Sequence, residues 1–382
     1  MNYVIFGAGK MARGLVHYLL RRDRAAHIRV LDRVPARARE LCAWSSSSRV
    51  SGGALDLGHR PGVRRELERA DVALSAAHYR FNAMLTTEAI RAKTHLVDLG
   101  GNNDVVARQL AQSPAAKRAG VTVIPDTGLA PGLASLLAMW AIEGMDRAER
   151  VSIRVGGVPL VPRPPLGYAL VFSAEGLINE YVEDALVLRD GKVVRVPSLT
   201  EVEPIRFQAP FGLMEAAHTS GGASTLVSTL RGRVRNLEYK TIRYPGHFAQ
   251  VLALKELGFF AAEPVEVGGA RVGPRELTGL LVERSLPTNA PDAILVRVTA
   301  DGRIGGRRRR VHITLVDRFD RRTGLSAMAR CTAFPSACIA WMIAHGGVVQ
   351  PGVHCQENVV PVQPLIAELR RAGLRIQRRT SA

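Results

Sequence analysis

Near the start of the chain, Gly7-Ala8-Gly9-Lys10-Met11-Ala12 is a G-x-G-x-x-A run that follows an apolar stretch and opens a helical one. Its chemistry is anion binding. Gly7 permits a tight turn, Gly9 lets the backbone approach a pyrophosphate without a Cβ in the way, and Ala12 lets helix and strand pack closely. Free N–H groups at the helix start, around Lys10 and Met11, would receive the phosphates. Asp32 follows Ala12 by 20 residues, where a carboxylate can accept from ribose hydroxyls and repel a 2′-phosphate. NAD is therefore the expected cofactor, with NADP possible because Arg33 adjoins Asp32. Three further polar segments stand where strands should end: Ser75-Ala76-Ala77-His78, Asp98-Leu99-Gly100-Gly101-Asn102 and Asp126-Thr127-Gly128. They are expected to line the nicotinamide end of the cofactor and the adjoining substrate mouth.

The second half carries two unusual runs. Thr219-Ser220-Gly221-Gly222-Ala223-Ser224-Thr225 is rich in hydroxyls and glycine and reads as the opening of a helix, suited to holding a carboxylate with backbone N–H groups. Tyr239-Lys240-Thr241-Ile242-Arg243-Tyr244-Pro245-Gly246-His247 gathers a Lys, an Arg and a His around a strand that ends in a turn. Alternation on a strand puts Lys240 and Ile242 on one face, Thr241 and Arg243 on the other.

These residues need elements to position them. Up to residue 125, apolar runs at Asn2–Phe6, Ile28–Leu31, Val50–Leu55, Val72–Ser75, His95–Asp98 and Val121–Ile124 alternate with helical patterns at Ala12–Arg21, Ala36–Cys42, Phe81–Arg91 and Val105–Leu110. That order predicts an α/β, Rossmann-type doubly wound parallel sheet over residues 1–125. Residues 126–335 then read as an α+β domain with a mostly antiparallel sheet for substrate binding and oligomerisation. Its expected parts are the hairpin Leu186–Arg189 to Lys192–Val196 about Asp190-Gly191, the pair Ile294–Thr299 and Val311–Val316, and a strand at Ser326–Thr332. Helices are expected at Leu133–Met145, Gly246–Leu257, Arg275–Arg284 and Phe334–His345. Residues 336–382 are expected to pack back on the first domain, with fraying from about Gln377.

Composition narrows the classes. The chain has 382 residues, 47% hydrophobic and 23% charged, and a mean hydropathy of +0.04, which excludes a disordered, collagenous or disulfide-framework protein. No uncharged apolar run reaches membrane-spanning length, and a core strand at Asn2–Phe6 leaves no room for a signal peptide. Cys42, Cys331, Cys338 and Cys355 lack C-x-x-C spacing, so a reduced, cytoplasmic chain with no metal site is expected. Net charge is +18, but only six of the 52 basic residues are Lys and the arginines are scattered. Aromatics, at 5%, do not interleave with them, so a nucleic-acid surface is not expected. The run Arg307–Arg310 reads as a solvated hairpin edge.

The segments Gly128-Leu129-Ala130-Pro131-Gly132, Gly156-Gly157-Val158-Pro159, Phe172-Ser173-Ala174-Glu175-Gly176-Leu177-Ile178, Thr219–Thr225, Tyr239–His247 and Thr323-Gly324-Leu325-Ser326-Ala327-Met328 resemble the saccharopine dehydrogenase-like superfamily. Within it, the chain is most similar to bacterial lysine 6-dehydrogenases. The resemblance implies an NAD-dependent oxidoreductase that deaminates the lysine ε-amine, or that of a close amino acid, to a semialdehyde cyclising to piperideine-6-carboxylate. It also implies a homodimer or larger homo-oligomer. On that reaction, Asp98 and Asp126 are expected to orient the amine or take its proton, and His78 and His247 to carry protons. Lys240, Arg243, Thr241, Ser220, Gly221 and Gly222 are expected to hold the substrate carboxylate, and Glu175 its α-ammonium. Gly7, Gly9, Lys10, Met11, Asp32, Arg33, Ser75, Ala76, Ala77 and Asp98 are expected to hold the cofactor. Two rival readings remain: an NADP-dependent reductase joining an amine to an aldehyde, as in the saccharopine- and carboxynorspermidine-forming relatives, and a non-catalytic dinucleotide sensor.

Overall fold

The computed structural model describes all 382 residues, which form two compact units. The first comprises Met1–Trp140, Ser224–Thr229 and Ala329–Arg375; the second comprises Ala141–Ala223, Leu230–Met328 and Ile376–Ala382. This division departs from the boundaries read from sequence, and residues 329–335 also fall in the first unit rather than with 126–335. The apolar helix Leu133–Ile142 belongs to the first unit as far as Trp140, Ser224–Thr229 returns to that unit, and the last seven residues belong to the second.

The first unit is built on a seven-stranded parallel sheet in the order Gly352–Val353, Thr122–Ile124, His95–Asp98, Val72–Ser75, Asn2–Phe6, His27–Asp32, Val50–Ala54. Strands such as Val72–Ser75 are buried along their whole length, as a sheet covered on both faces requires. Asn2–Phe6 has His27–Asp32 on one side and Val72–Ser75 on the other. The strand order therefore reverses there, and the loop leaving its carboxyl end begins with Gly7. The helix Lys10–Arg22 lies so close to its neighbour that a Cβ on Gly14 would stand 2.7 Å from the Ala333 methyl group. The two-residue strand Gly352–Val353 adds a seventh member too short to give a periodic signal.

The second unit carries a nine-stranded mixed sheet, with Arg147–Pro159 between Val234–Arg243 and Asp292–Ile304. Only the pairing of Val234–Arg243 with Arg147–Pro159 is parallel; the other pairs are antiparallel. Asp190 and Gly191 take φ values of +49° and +78° in the expected hairpin. The run Arg307–Arg310 opens the long strand Arg307–Arg318, pairing with Asp301–Ile304 across the Gly305-Gly306 turn. Two expectations are corrected here. The terminus is not frayed, because Ile376–Ser381 pairs with Leu315–Arg310. Ser326–Thr332 is not a strand, because the helix Ala327–Ala344 starts there. The buried Asp292 carboxylate accepts from the Ala327 and Met328 N–H groups at 2.7 and 2.8 Å, so a carboxylate from another strand holds the start of this helix. This helix is long and apolar enough to cross a membrane by length and composition; 72% of it is buried inside the protein.

Candidate functional site

Gly7 adopts a φ of +97°, and a Cβ there would stand 2.7 Å from the Ala76 carbonyl oxygen. Nothing lies within 4 Å of the Cβ position at Gly9. The helix that follows has neither a side-chain cap at Gly9 nor an acidic residue in its first turn, so no side chain of its own competes with an anion at its start. A turn only glycine can make, open space over Gly9 and an uncapped helix start together fit a dinucleotide pyrophosphate. Asp32 also holds this turn: its Oδ2 accepts from Ala8 N–H at 2.9 Å and its Oδ1 from Val34 N–H at 2.8 Å. Arg33 and Lys10 are exposed and Met11 is half-buried. Ser75 is buried and donates to Asn82 Oδ1 at 2.8 Å, which fixes the turn through Ala76 and Ala77.

At the ends of the two strands farther along the same sheet lie two buried carboxyls. Asp98 is fully buried, and its oxygens accept from Gly100 N–H (2.8 Å), Gln109 Nε2 (2.7 Å) and Asp126 N–H (3.2 Å). Burial raises its pKa, and these three bonds oppose the rise. Asp126 sits in the left-handed region at φ +61°, which Asp tolerates better than most residues. Its Oδ2 accepts from the Ser224 hydroxyl, and the Gln356 amide donates to its backbone carbonyl at 2.5 Å. Oδ1 has no hydrogen-bond partner and occupies the space a Cβ at Gly100 would take. Burial first, then the Asp98 charge, push the Asp126 carboxyl up to about 7, against the Ser224 hydroxyl. A carboxyl near 7 exchanges protons at neutral pH, whereas an ordinary one does not.

The second unit holds a separate cluster on Val234–Arg243. Arg243 is buried, donates to the Tyr181 hydroxyl and to Glu180 Oε2, each at 3.3 Å, and stacks over Tyr168 at 4.7 Å. The Tyr168 hydroxyl is buried without a partner. Long bonds to Arg243 and an unpaired hydroxyl beside it leave donor capacity for an anion such as a carboxylate. His247 is buried, with Nδ1 2.9 Å from the Leu166 carbonyl and Nε2 2.9 Å from the Tyr181 hydroxyl. A carbonyl only accepts, so the proton sits on Nδ1 and Tyr181 donates to Nε2. Burial, then the Arg243 charge, lower the His247 pKa to about 3. The ring stays neutral and orients Tyr181, so the expected proton carrier at neutral pH is not found there.

Two family models cover nearly the whole chain. Residues 3–124 match the saccharopine dehydrogenase NADP binding domain, and residues 128–374 match the saccharopine dehydrogenase C-terminal domain. The chain belongs to the saccharopine dehydrogenase family. A glutamate-forming, NADP-dependent saccharopine dehydrogenase of Pyricularia oryzae is 26% identical over 293 residues, covering 74% of this chain and 63% of that protein. Its counterpart in Saccharomyces cerevisiae is 28% identical over 204 residues, 52% of this chain and 44% of that protein. The aligned part thus spans about half to two thirds of these relatives. The solved apo structure of a glutamate-forming saccharopine dehydrogenase from S. cerevisiae superposes with a TM-score of 0.81 over 100% of both chains, at 21% identity, which establishes the shared fold.

Within this saccharopine dehydrogenase fold, the residues singled out from sequence separate into several places. Lys240 and Arg243 do not share a cluster. Lys240 faces the other way on its strand, buried, with Nζ bonded to the Glu201 carbonyl (2.7 Å) and Glu203 Oε2 (3.0 Å). Arg154 bridges Glu203 and Glu238 at 2.5 Å each, and His218 Nε2 lies 3.0 Å from Glu201. Lys240 is committed to this ion network and is not a carboxylate anchor. Glu201, His218 and Glu238 bring ligand atoms within 4.8 Å of one another, but Arg189 already pairs with the Glu201 carboxylate and Arg154 with that of Glu238. Glu175 is exposed in the first turn of Ala174–Val182, and it is Glu180, on the same helix, that meets Arg243. Thr241 bonds Thr219 at 2.6 Å, and Ser220 binds the Asn179 carbonyl at 3.0 Å. Gly221 takes φ +81°, and a Cβ at Gly222 would enter the Tyr239 ring. The hydroxyl-rich run opens a helix of only five residues, Leu226–Leu230. Its contribution is Ser224 and Thr225 rather than helix N–H groups. His78 caps the short helix Tyr79–Phe81 by accepting from Arg80 N–H at 3.2 Å. Sequence reasoning named Ser224 and Thr225 only within the hydroxyl-rich run and gave no role to Gln356 or Glu357; the fold brings all four to Asp126 from positions 98 to 231 residues away.

Proposed function

We propose that this protein is an NADP(H)-linked oxidoreductase that makes or cleaves the C–N bond of a secondary amine formed between an amino acid and a carbonyl compound, with saccharopine as the model substrate. The observation that carries the reading is Asp126, a buried carboxyl lifted to about 7 on the loop that leaves the dinucleotide-binding sheet. The nicotinamide, when bound, accepts or returns a hydride at the carbon beside the nitrogen. Nitrogen can release electron density only after losing its proton, and Asp126 is tuned to take that proton near neutral pH. Ser224 fixes the carboxyl by donating to Oδ2, and burial, then the nearby Asp98 charge, sustain its raised proton affinity. In the second unit, Arg243 with Tyr168 beside it is by itself a cation suited to a carboxylate.

NADP takes the place of the NAD expected from Asp32. Both Asp32 oxygens already accept backbone N–H groups, Oδ2 from Ala8 in the glycine turn and Oδ1 from Val34, while the exposed Arg33 beside it is suited to a 2′-phosphate. The names of the related enzymes point the same way. Asp32 is also the one residue that favours the second reading, NAD-linked oxidative deamination of a primary amine such as the lysine ε-amine.

The test is a panel with the purified chain: saccharopine, lysine and other amines, each with NADP⁺ and NAD⁺, followed by absorbance of the reduced nicotinamide. Turnover of saccharopine with NADP⁺ is expected. Reduction of NAD⁺ with lysine alone would establish the second reading. Tight cofactor binding without turnover of any amine would leave a sensor.

A further inference from the structure

The first unit contains a group of buried oxygen atoms that its own donors leave unmet. Glu357 is 6% exposed; its Oε1 accepts from the Thr225 and Thr229 hydroxyls at 2.7 and 2.9 Å, and its Oε2 has no partner. Gln356 is 2% exposed; its amide nitrogen is taken by the Asp126 carbonyl, so its orientation is fixed, and its Oε1 has no partner either. Asp126 Oδ1 is the third. Consecutive residues tie the group together. Ser224 holds Asp126 while Thr225 holds Glu357, and Gln356 and Glu357 are themselves neighbours.

Every one of these unpaired atoms is an acceptor. A buried acceptor without a donor costs about 1–3 kcal/mol, more when it carries charge. Natural folds keep such atoms where a ligand or water supplies the missing donor. A water has two protons and no charge, so it leaves one of three acceptors unmet and two carboxylates uncompensated. A protonated amine has the opposite character: it donates up to three hydrogen bonds and brings the countercharge.

We infer that Glu357, with Gln356 Oε1 and Asp126 Oδ1, forms the seat for a cationic amine nitrogen of the substrate. Glu357 supplies the fixed charge, Gln356 a neutral acceptor, and Asp126 the group that exchanges the proton. This rests on the amine chemistry proposed above and adds the residue that selects an ammonium over a neutral or anionic group. The titratable groups facing Asp126 are Asp98 from the neighbouring strand end, and Glu357 and Cys355 from the segment before residue 360. The Ser224 and Thr225 hydroxyls and the Gly101 N–H complete the surroundings. The Glu357 charge is one of the causes that hold Asp126 up.

Glu357→Gln keeps a carbonyl for the two threonines and removes the charge. With saccharopine and saturating NADP⁺, this change is expected to raise KM about 10- to 100-fold, the factor that one lost charge-assisted hydrogen bond carries, and to leave NADP⁺ affinity unchanged. The acid limb of the pH profile should move to lower pH, because Asp126 loses a repelling neighbour; a merely structural role would not move it. Unchanged KM with an unmoved acid limb would overturn the assignment. Melting temperatures with NADP⁺ and either n-butylammonium or n-butanol read the seat without turnover. Stabilisation of the unsubstituted protein by the ammonium alone, lost in Glu357→Gln, supports the seat even if no amine is oxidised, in which case the reaction proposal falls by itself. Equal effects of ammonium and alcohol, or equal effects in both proteins, would overturn it. Thr229→Val removes one donor to Oε1 while keeping the charge, and it should raise KM by less than Glu357→Gln does.

Discussion

Asp126 is a carboxyl held in the folded chain at a proton affinity far above its ordinary value, and this has consequences for stability as well as for catalysis. Its pKa is about 7 folded against 3.8 unfolded, so between these values the folded state binds more protons. Stability from this group is therefore present below about pH 4 and is lost as pH rises through 7, the reverse of an ion-paired carboxylate. Asp126→Asn should remove that slope and raise the melting temperature at pH 8, while abolishing the neutral-pH limb of the rate profile and most of kcat. A melting curve as steep in pH as that of the unsubstituted protein would dismiss Asp126 as the titrating group. Arg243 and Lys240 make a second comparison. Arg243→Ala should raise KM for a carboxylate-bearing substrate by about 10-fold or more with NADP⁺ affinity unchanged; equal loss of both, or of neither, would remove Arg243 from the substrate site. Residue types were legible in the sequence at Gly7, Asp126 and Arg243, whose chemistry follows from the run around each. Protonation was not: His247 reads as a neutral-pH carrier until its burial beside Arg243 is known. Lys240 reads as an anchor until Glu203, 37 residues before it, is found bonded to its ammonium.

At the scale of elements, the helix Ala327–Ala344 depends on a carboxylate remote in sequence. Asp292→Ala would leave the Ala327 and Met328 N–H groups without acceptors in a buried setting. A loss of about 1–2 kcal/mol is expected, the usual worth of such a cap, read as a lower denaturant midpoint with an unchanged slope. A loss below about 0.5 kcal/mol would mean that the helix start is held by packing instead. The same dependence explains what the sequence concealed. Ser326–Thr332 carries no sign in its own sequence of the Asp292 carboxylate that receives its N–H groups, and it alternates well enough to pass for a strand. Gly352–Val353 is too short to have a period, yet it completes the parallel sheet and delivers Gln356 and Glu357 to Asp126. By contrast, Asn2–Phe6, Val72–Ser75 and His95–Asp98 are apolar on both faces, so burial and sequence give one answer. The Asp190-Gly191 hairpin was equally plain, because only such a pair accepts two positive φ values in a turn. Local signals carried the elements whose partners are close in sequence, and failed where the partner lies outside the local window, from 35 residues for Asp292 to 230 for Gln356.

At the scale of the whole molecule, the net charge of +18 has to be reconciled with a function that shows no nucleic-acid platform. Some arginines are paired: Arg22 with Glu368, Arg29 with Glu66, Arg64 with Glu88 and Arg154 with Glu203 and Glu238. Pairing cannot absorb the whole excess, because 52 basic residues face 34 acidic ones, and the run Arg307–Arg310 is largely exposed. The remainder creates a positive field that attracts NADP(H) and polycarboxylate substrates over distances up to the screening length, about 10 Å at 0.1 M salt. Such a field accelerates encounter and leaves the bound state untouched. The kcat/KM for an anionic substrate should therefore fall several-fold or more between about 20 and 300 mM ionic strength, while kcat stays level. A cationic or neutral amine should show no such decline. If kcat/KM for the anionic substrate is flat across that range, the surplus arginines are screened where they stand, and the basic composition has no part in drawing ligands to the protein.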